Sequence, residues 1–387
     1  MRRRERNHGW VTPMLTATLA VAVTIGMGRF GISLLLPGMR ETFGFSTTAA
    51  GVLAAGSLLG FLTGSVGFAA RAVALGESRL LAFGAATAAL GFGLTALAPS
   101  YMLILAGLVF GGIGTGIATV AGTALALATA PEGRRGLVLG IVNGGTGMGV
   151  IAIGVLAPRF DGSEEWRTVW WIVATAAVVV AGLAAHIRAA PTIHPTSESV
   201  RRPADVWGLY IVYAGFGFAF ASYSTYFGSF LVEQQELTEA LAGSAWRLLG
   251  AVSLISGVTW GRLSDRWGRG TALGSLMAVQ GIGFALLLPG SPAAAYVSAA
   301  VVGATAFAVP GMVAAAAADL VGPAKASALY GFSIIFSSLG QASGPPLVGA
   351  ISDSLGSYRP AFVVASLVAL ATAGASATML RPGVAVA

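Results

Sequence analysis

The chain has 387 residues, of which 56% are apolar and only 10% are charged, and its mean hydropathy is +0.81. Soluble globular proteins carry charges on about a quarter of their residues, so most of this chain must face something other than water. The formal net charge is +7, but the basic residues stand in short clusters between apolar runs without a recognition motif, and we expect no nucleic acid partner.

Cysteine and histidine usage excludes several kinds of site. The chain has no cysteine, which rules out disulfides, thiolate metal sites and a cysteine nucleophile. His8, His186 and His194 fall near predicted helix ends or in loops and lack the spacing of metal ligands. No nucleotide-binding loop of the G-x-x-x-x-G-K-[ST] type is present, so we expect no metal, no cofactor and no ATP-driven mechanism.

Apolar runs of about 18 residues or more, each long enough to cross a ~30 Å hydrocarbon core as a helix, recur along the chain. In the first half they predict spans at 12–37, 46–70, 79–98, 101–130, 136–158 and 166–187. In the second half they predict spans at 206–232, 240–261, 271–289, 293–318, 326–350 and 360–380. The chain is therefore predicted to be a multi-pass membrane protein.

The basic residues predict the orientation of these spans. The arginine cluster at residues 2–6 precedes a run that is too long for a signal peptide and leads into further spans, so it indicates a retained first helix. With the N-terminus inside, sixteen of the 22 Lys and Arg residues fall on the inner side, five on the outer side, and Arg29 within a span. This bias predicts cytoplasmic termini in a bacterial cytoplasmic (inner) membrane.

A polar stretch, Pro191–Asp205, divides the predicted spans six and six. It predicts an N-terminal six-helix bundle at 1–190, a cytoplasmic linker at 191–205 and a C-terminal six-helix bundle at 206–387. Glycines recur between the halves at a spacing of 191 residues, in the pairs Gly26/Gly217, Gly112/Gly303, Gly140/Gly331 and Gly149/Gly340. The predicted fold is all-α, with twelve transmembrane helices in two bundles related by a pseudo-two-fold axis along the membrane normal.

Small residues at four-residue spacing predict close helix packing, because lipid offers no hydrophobic drive for association. Such pairs are Gly60/Gly64, Gly112/Gly116, Gly140/Gly144, Gly145/Gly149, Gly257/Gly261 and Gly340/Gly344.

Between the eighth and ninth predicted spans lies the segment Gly261-Arg262-Leu263-Ser264-Asp265-Arg266-Trp267-Gly268-Arg269. It resembles the signature cytoplasmic loop of the major facilitator superfamily. The pattern continues at 340–345, and the glycine-rich stretches 111–116 and 143–149 are similar to that family as well. The Gly-x-Gly-Arg-Phe segment of span one resembles the poorly characterised bacterial YbfB-like branch. The resemblance covers essentially the whole chain and implies transport by alternating access.

For the loop, the resemblance implies a gating role. Its residues in this chain are Gly261, Arg262, Asp265, Arg266, Gly268 and Arg269. Asp265 is expected to meet the start of span five near Gly136, with Arg134 and Arg135 close by, where a helix N-terminus favours a carboxylate. The alternative is that the Asp265-Arg266 pair of the loop is only solvated and has no gating role. The first-half counterpart, 68–77, lacks the Asp-Arg pair, which predicts asymmetric control of the inner gate.

Two arginines are candidate substrate contacts. Arg29 lies in span one beyond its middle, and Arg247 lies about seven residues into span eight beside Trp246. Because a charge inside a membrane is costly, each should face a cavity or a partner, and guanidinium groups bind carboxylates and other oxyanions in a bidentate way. The alternatives are a structural Arg29 bonded to helix-end carbonyls and an Arg247 that reaches the outer interface.

Further candidate cavity contacts are Trp246, Asn143, Tyr223, Tyr226 and Gln341. No Asp or Glu lies at mid-depth in a predicted span. This argues against proton-coupled export of cationic drugs, which relies on a buried carboxylate.

These observations favour a secondary transporter that moves a small anionic or polar organic solute outward or by exchange. Its expected partners are that solute and the lipid bilayer, a coupling ion such as H+ is left open, and the chain is expected to act as a monomer. The first alternative is a multidrug or natural-product efflux pump for neutral or acidic compounds. A remote alternative is a non-transporting membrane receptor or enzyme, although an enzyme would need clustered nucleophiles, metal ligands or carboxylate pairs, which the sequence lacks.

Overall fold

A computed structural model describes residues 9–67, 76–131, 133–160, 164–187 and 206–379, which form helices and short connections without a strand in these ranges. The arginine cluster at 2–6, most of the first-half loop (68–75) and the predicted linker 191–205 lie outside the described residues.

The chain divides into two compact units. Unit 1 comprises Met1–Phe45 and Val52–His194, and unit 2 comprises Ser46–Gly51 and Pro195–Ala387. The residue boundaries predicted for the two bundles and their linker remain predictions.

The first six helices are α1 (Val11–Phe43), α2 (Thr47–Gly67), α3 (Glu77–Leu97), α4 (Tyr101–Thr129), α5 (Arg135–Leu156) and α6 (Trp166–Ala185). The last six are α7 (Val206–Gln234), α8 (Glu239–Trp267), α9 (Arg269–Ala285), α10 (Pro292–Val321), α11 (Pro323–Leu355) and α12 (Arg359–Met379). Helix α10 is interrupted between Ala306 and Val309, where Pro310 lies in the first turn of its second segment. Proline lacks the N–H that would continue the preceding helix, so the interruption has a local cause.

Ten of these helices are long and apolar enough to cross a membrane, which makes the chain a multi-pass helical membrane protein. Helices α9 and α11 lie at the two other predicted spans but are not among the ten. The count of twelve transmembrane helices therefore stays a prediction.

Helices pair in a similar order within each unit. In unit 1, α1 packs on α5 and α3 packs on α6, and in unit 2, α7 packs on α11 and α9 packs on α12. Each of these pairs in unit 2 lies six helices after its counterpart in unit 1. This order of pairing is compatible with the six-helix repeat expected from the glycine spacing, which stays a prediction.

The glycines spaced by 191 residues occupy matching contacts. A Cβ atom on Gly112 of α4 would overlap the Ser57 carbonyl of α2, and a Cβ on Gly303 of α10 would overlap Leu249 of α8. Gly26 likewise lies against the backbone of α5, and Gly217 against the backbone of α11. These glycines permit the close backbone approach that membrane helices use.

The packing prediction is wrong for some of the glycines. An added Cβ would meet no described atom within 4 Å at Gly140, Gly257 or Gly261. Each of them lies within a helix, but on a side where no described atom approaches closely. Four-residue spacing alone does not reveal which face of a helix is packed.

Candidate functional site

The middle of α1 departs from regular α-helix immediately before Arg29. Residues Ala22–Arg29 form a π-helical turn, an uncommon geometry that is often found at functional sites. Two glycines let neighbouring helices approach this turn. A Cβ atom added to Gly26 would lie only 2.5 Å from the Cα of Gly149, and one added to Gly28 would overlap the Phe92 ring. The turn is therefore supported on the side of α3 and α5.

Arg29 is half-buried at the end of this turn, and its guanidinium lies near two aromatic rings. Its Cζ atom is 5.5 Å from the ring centroid of Phe30 and 5.6 Å from that of Phe61 on α2. Such cation–π contacts partly replace the solvation that a charge loses inside a membrane. The N–H groups lie in the guanidinium plane, so contact with ring faces is compatible with bidentate binding of an anion.

Arg247, on α8, differs from Arg29 in its surroundings. It is half-buried in regular helix, and among the described residues it makes no hydrogen bond or ion pair. The adjacent Trp246 is only 1% exposed and packs at 5.0 Å on the ring of Phe227. Of the two neighbouring residues predicted to contact the substrate, Arg247 is therefore partly accessible and Trp246 is buried.

The tyrosines of α7 that were predicted to face the substrate are fully buried within unit 2. The Tyr223 hydroxyl lies 3.0 Å from the Ser298 hydroxyl. The Tyr226 hydroxyl lies within hydrogen-bond distance of the carbonyl oxygens of Pro345 and, at 3.1 Å, Thr47. Both side chains join helices here, and a role in substrate binding stays a prediction.

The two predicted amide contacts are more accessible. Asn143 on α5 is exposed, and Gln341 on α11 is half-buried and donates to the Ser337 hydroxyl at 3.1 Å. Neither amide is buried to the degree seen for the two tyrosines.

The loop between α8 and α9 is a single tight turn. Helix α8 ends at Trp267, Gly268 has a φ of +80°, and α9 begins at Arg269. A positive φ strongly favours glycine, which explains why the motif has one here. Gly261, Arg262 and Arg266 precede the turn on the last part of α8, where both arginines are exposed.

Arg269 is the centre of the polar contacts at this turn. Its guanidinium donates to Asp265, to Ser264 and to Asp319, each at 2.8 Å. Burial alone would lower the pKa of Arg269, but the hydrogen bonds to Asp319 and Asp265 outweigh it and raise that pKa. The arginine thus ties the ends of α8, α9 and α10 together. The sequence analysis did not link Asp319 to the loop, since it lies 50 residues further along the chain.

The predicted partners of Asp265 in unit 1 lie at the start of α5. Arg134, Arg135 and Gly136 are exposed there, and the guanidinium of Arg134 lies 6.0 Å from the Trp10 ring. The contact between Asp265 and this helix start, and its gating role, stay predictions.

A further polar contact lies at the outer ends of the predicted spans in unit 2. The Asp353 carboxylate accepts hydrogen bonds from the backbone N–H groups of Thr47 at 2.8 Å and Thr48 at 2.7 Å, and from the Thr48 hydroxyl. It therefore caps the N-terminus of α2, a position that favours negative charge. Partial burial would raise the pKa of Asp353, but these hydrogen bonds lower it to about 2.

No group of three or more His, Cys, Asp or Glu side chains that could hold a metal ion occurs in the described part of the chain.

Comparisons with known proteins agree with this architecture. The family model described as the uncharacterised MFS-type transporter YbfB matches residues 21–377. A probable chloroplastic anion transporter of Arabidopsis thaliana is 26% identical over 163 residues, which cover 41% of this chain and 31% of that protein. The match therefore spans less than a third of the relative's own length.

Two kinds of transporter structure share the fold. A bacterial homologue of the human lysosomal transporter Spinster has a TM-score of 0.74 at 16% identity, covering 97% of this chain and 96% of that chain. The nucleoside transporter NupG, in a point-mutant form, has a TM-score of 0.76 at 13% identity, covering 95% of this chain and 100% of that chain. At these identities the likeness concerns the fold alone.

Proposed function

Because the chain belongs to the family of the uncharacterised MFS-type transporter YbfB, we propose that it is a secondary active transporter that moves a small organic anion by alternating access. Its family and the similar proteins are transporters rather than enzymes. The observation that carries the anion proposal is Arg29, a half-buried guanidinium in a π-helical turn of α1.

The physical argument starts from the cost of the charge. Placing an arginine at the middle of a membrane span costs roughly 2.5–3.5 kcal/mol or more. Phe30 and Phe61 offset part of this cost through cation–π contacts with the guanidinium. Since arginine does not deprotonate in proteins, the site keeps its positive charge in every state of a transport cycle. A solute that is negatively charged would be attracted to it.

Arg247 is a second candidate anion contact, because it is half-buried and has no described ionic partner. The curated relative that is a probable anion transporter is consistent with this substrate class.

The proposal also covers direction, oligomeric state and location. The protein would move its solute outward or by exchange, act as a monomer, and lie in a bacterial inner membrane with both termini cytoplasmic. A coupling ion such as H+ belongs to the same proposal.

A second candidate function is efflux of neutral or acidic lipophilic compounds. It is favoured by the aromatic rings that surround Arg29, since these would also contact an apolar molecule. The two candidates differ in whether binding requires the charge of Arg29.

The test is a thermal-shift screen of the purified full chain with acetate, benzoate, succinate, inorganic phosphate, a neutral lipophilic drug and tetraphenylphosphonium. A compound that binds the folded state, present at roughly 100 times its Kd, stabilises it by about 2.7 kcal/mol. We expect stabilisation by one anion class in the wild type and its loss in Arg29→Ala. Arg159→Ala, an exposed arginine at the end of α5, is the control and should behave like the wild type.

Stabilisation only by the neutral or cationic compounds, with the same response in Arg29→Ala, would contradict the anion proposal and favour the lipophilic exporter. Uptake of the stabilising anion into proteoliposomes then measures transport directly.

A further inference from the structure

The two rings beside Arg29 differ in how accessible they are. Phe30, next to Arg29 on α1, is 7% exposed, whereas Phe61 on α2 is half-buried and keeps part of its side chain open. Arg29 and Phe61 are each half-buried and in contact, with the Cζ atom of Arg29 5.6 Å from the ring centroid of Phe61. A molecule that reached both groups would meet a positive charge and an apolar ring.

The backbone around Phe61 is held by close helix contacts. A Cβ on Gly116 of α4 would overlap the Phe61 carbonyl, and a Cβ on Gly64 would overlap the Ile113 carbonyl. Gly60, the residue before Phe61, lies against Val109 in the same way. These contacts pack the backbone of α2 at Phe61 closely against α4 and so support the placement of its ring beside Arg29. A binding group gains affinity from being held in place before the ligand arrives.

This geometry discriminates between classes of anion. Arg29 is the cation that contacts Phe61, and a doubly charged phosphate bound by this guanidinium without a second cation such as Arg247 would retain excess negative charge in a medium of low dielectric constant, which is unfavourable. Acetate would satisfy the charge but leave the ring uncovered. An aromatic carboxylate can contact both residues: its carboxylate pairs with the guanidinium of Arg29, and its ring can pack against Phe61.

We propose that the transported anion is a monocarboxylate with an aromatic body, and that Phe61 is the specificity-determining residue that recognises its ring. This inference rests on the proposed function, in which Arg29 binds the anionic group.

The decisive comparison is benzoate with cyclohexanecarboxylate. The two have the same charge and the same number of carbon atoms, but only benzoate has a flat aromatic ring. Titrations of the purified full chain, followed by thermal shift, give a Kd for each. We expect benzoate to bind about fivefold more tightly, which is the size expected of one aromatic pair. Acetate and inorganic phosphate should bind more weakly than benzoate.

Variants then assign the preference to Phe61. In Phe61→Leu, which keeps an apolar side chain but removes the ring, the ratio of the two Kd values should fall to about one, because the aromatic pair is lost. Phe61→Tyr keeps the ring and should keep the preference. Phe110→Leu, at a 46% exposed phenylalanine of α4, is the matched control and should leave the ratio unchanged.

Equal affinities in the wild type, an unchanged ratio in Phe61→Leu, or tighter binding of phosphate than of benzoate would each overturn the inference. The ratio of the Kd values of cyclohexanecarboxylate and benzoate is measured on the wild-type protein, so the preference for an aromatic ring can be tested even if Phe61→Leu does not fold. Those three results would leave the role of Arg29 intact as long as the observed binding is lost in Arg29→Ala. Absence of binding by every anion would contradict the proposed function and this inference together.

Discussion

The two units repeat one arrangement of glycines but hold their helices together differently. In unit 1, α2 and α4 meet backbone to backbone, because Gly60 and Gly64 lie against carbonyls of α4 while Gly112 and Gly116 lie against carbonyls of α2. At the corresponding place in unit 2, Gly303 makes such a contact against Leu249 of α8, whereas an added Cβ at Gly257 or Gly261 of α8 would meet no described atom within 4 Å.

Unit 2 has contacts between aromatic rings in addition to close glycine contacts. Tyr210 of α7 stacks on Phe336 of α11 at 4.5 Å, and Phe227 of α7 lies 5.0 Å from Trp246 of α8, while Gly217 and Gly340 join the backbones of α7 and α11. The two units therefore share glycine contacts but differ in where rings add to them. Backbone contacts leave no room for an added atom, whereas contacts between rings depend on the area and orientation of side chains.

The largest expected effect separates the two kinds of glycine. Gly112→Ala adds a methyl group that overlaps the Ser57 carbonyl, so we expect a loss of roughly 1–3 kcal/mol of stability and a lower yield of folded protein. Gly257→Ala in α8 meets no atom within 4 Å and should be neutral or slightly stabilising, since alanine favours helix more than glycine does. Melting temperatures and size-exclusion profiles of both variants measure this. Equal destabilisation by both variants would show that the tightly packed and the unpacked glycine do not differ in their contribution to stability.

A smaller effect is expected where unit 2 uses rings. Phe227 is fully buried between Tyr223, at 5.5 Å, and Trp246, at 5.0 Å. Phe227→Leu keeps most of the volume but loses both aromatic contacts, which should cost about 1 kcal/mol and lower the melting temperature by a few degrees. The exposed Phe110→Leu is the control. A melting temperature equal to that of the control would show that the rings contribute only volume.

The smallest effect concerns Asp353, whose carboxylate caps the first residues of α2, Thr47 and Thr48, which belong to unit 2 as Asp353 does. Its pKa is lowered to about 2, below the value of about 3.9 for an unfolded aspartate, so the stabilisation is present at higher pH and is lost as the pH falls through about 2. We expect Asp353→Asn to melt slightly lower than the wild type by a margin that is constant from about pH 5 to 8 and shrinks below about pH 4.

Glu41→Gln, at an exposed carboxylate near the end of α1, is the control for this series. A margin between Asp353→Asn and the wild type that already changes between about pH 5 and 8 would contradict the assigned cap.

Sequence alone determined the class of the protein, the approximate positions of the helices and the family. These properties depend on local or periodic patterns. The apolar runs predict the membrane helices, and the loop motif around Asp265 indicates the family. Arg29 was predicted as a site residue for the same reason, because a charge within an apolar run is conspicuous.

Only the tertiary structure decided which side chains meet. It placed Phe61 beside Arg29, Asp319 beside Arg269 and Asp353 at the start of α2. It also buried Tyr223 and Tyr226, which were predicted to face the substrate. In a helix that is apolar on all sides, no hydropathy pattern marks the packed face. The rotation of each helix is set by its contacts with distant segments of the chain, and these are not readable from a single sequence.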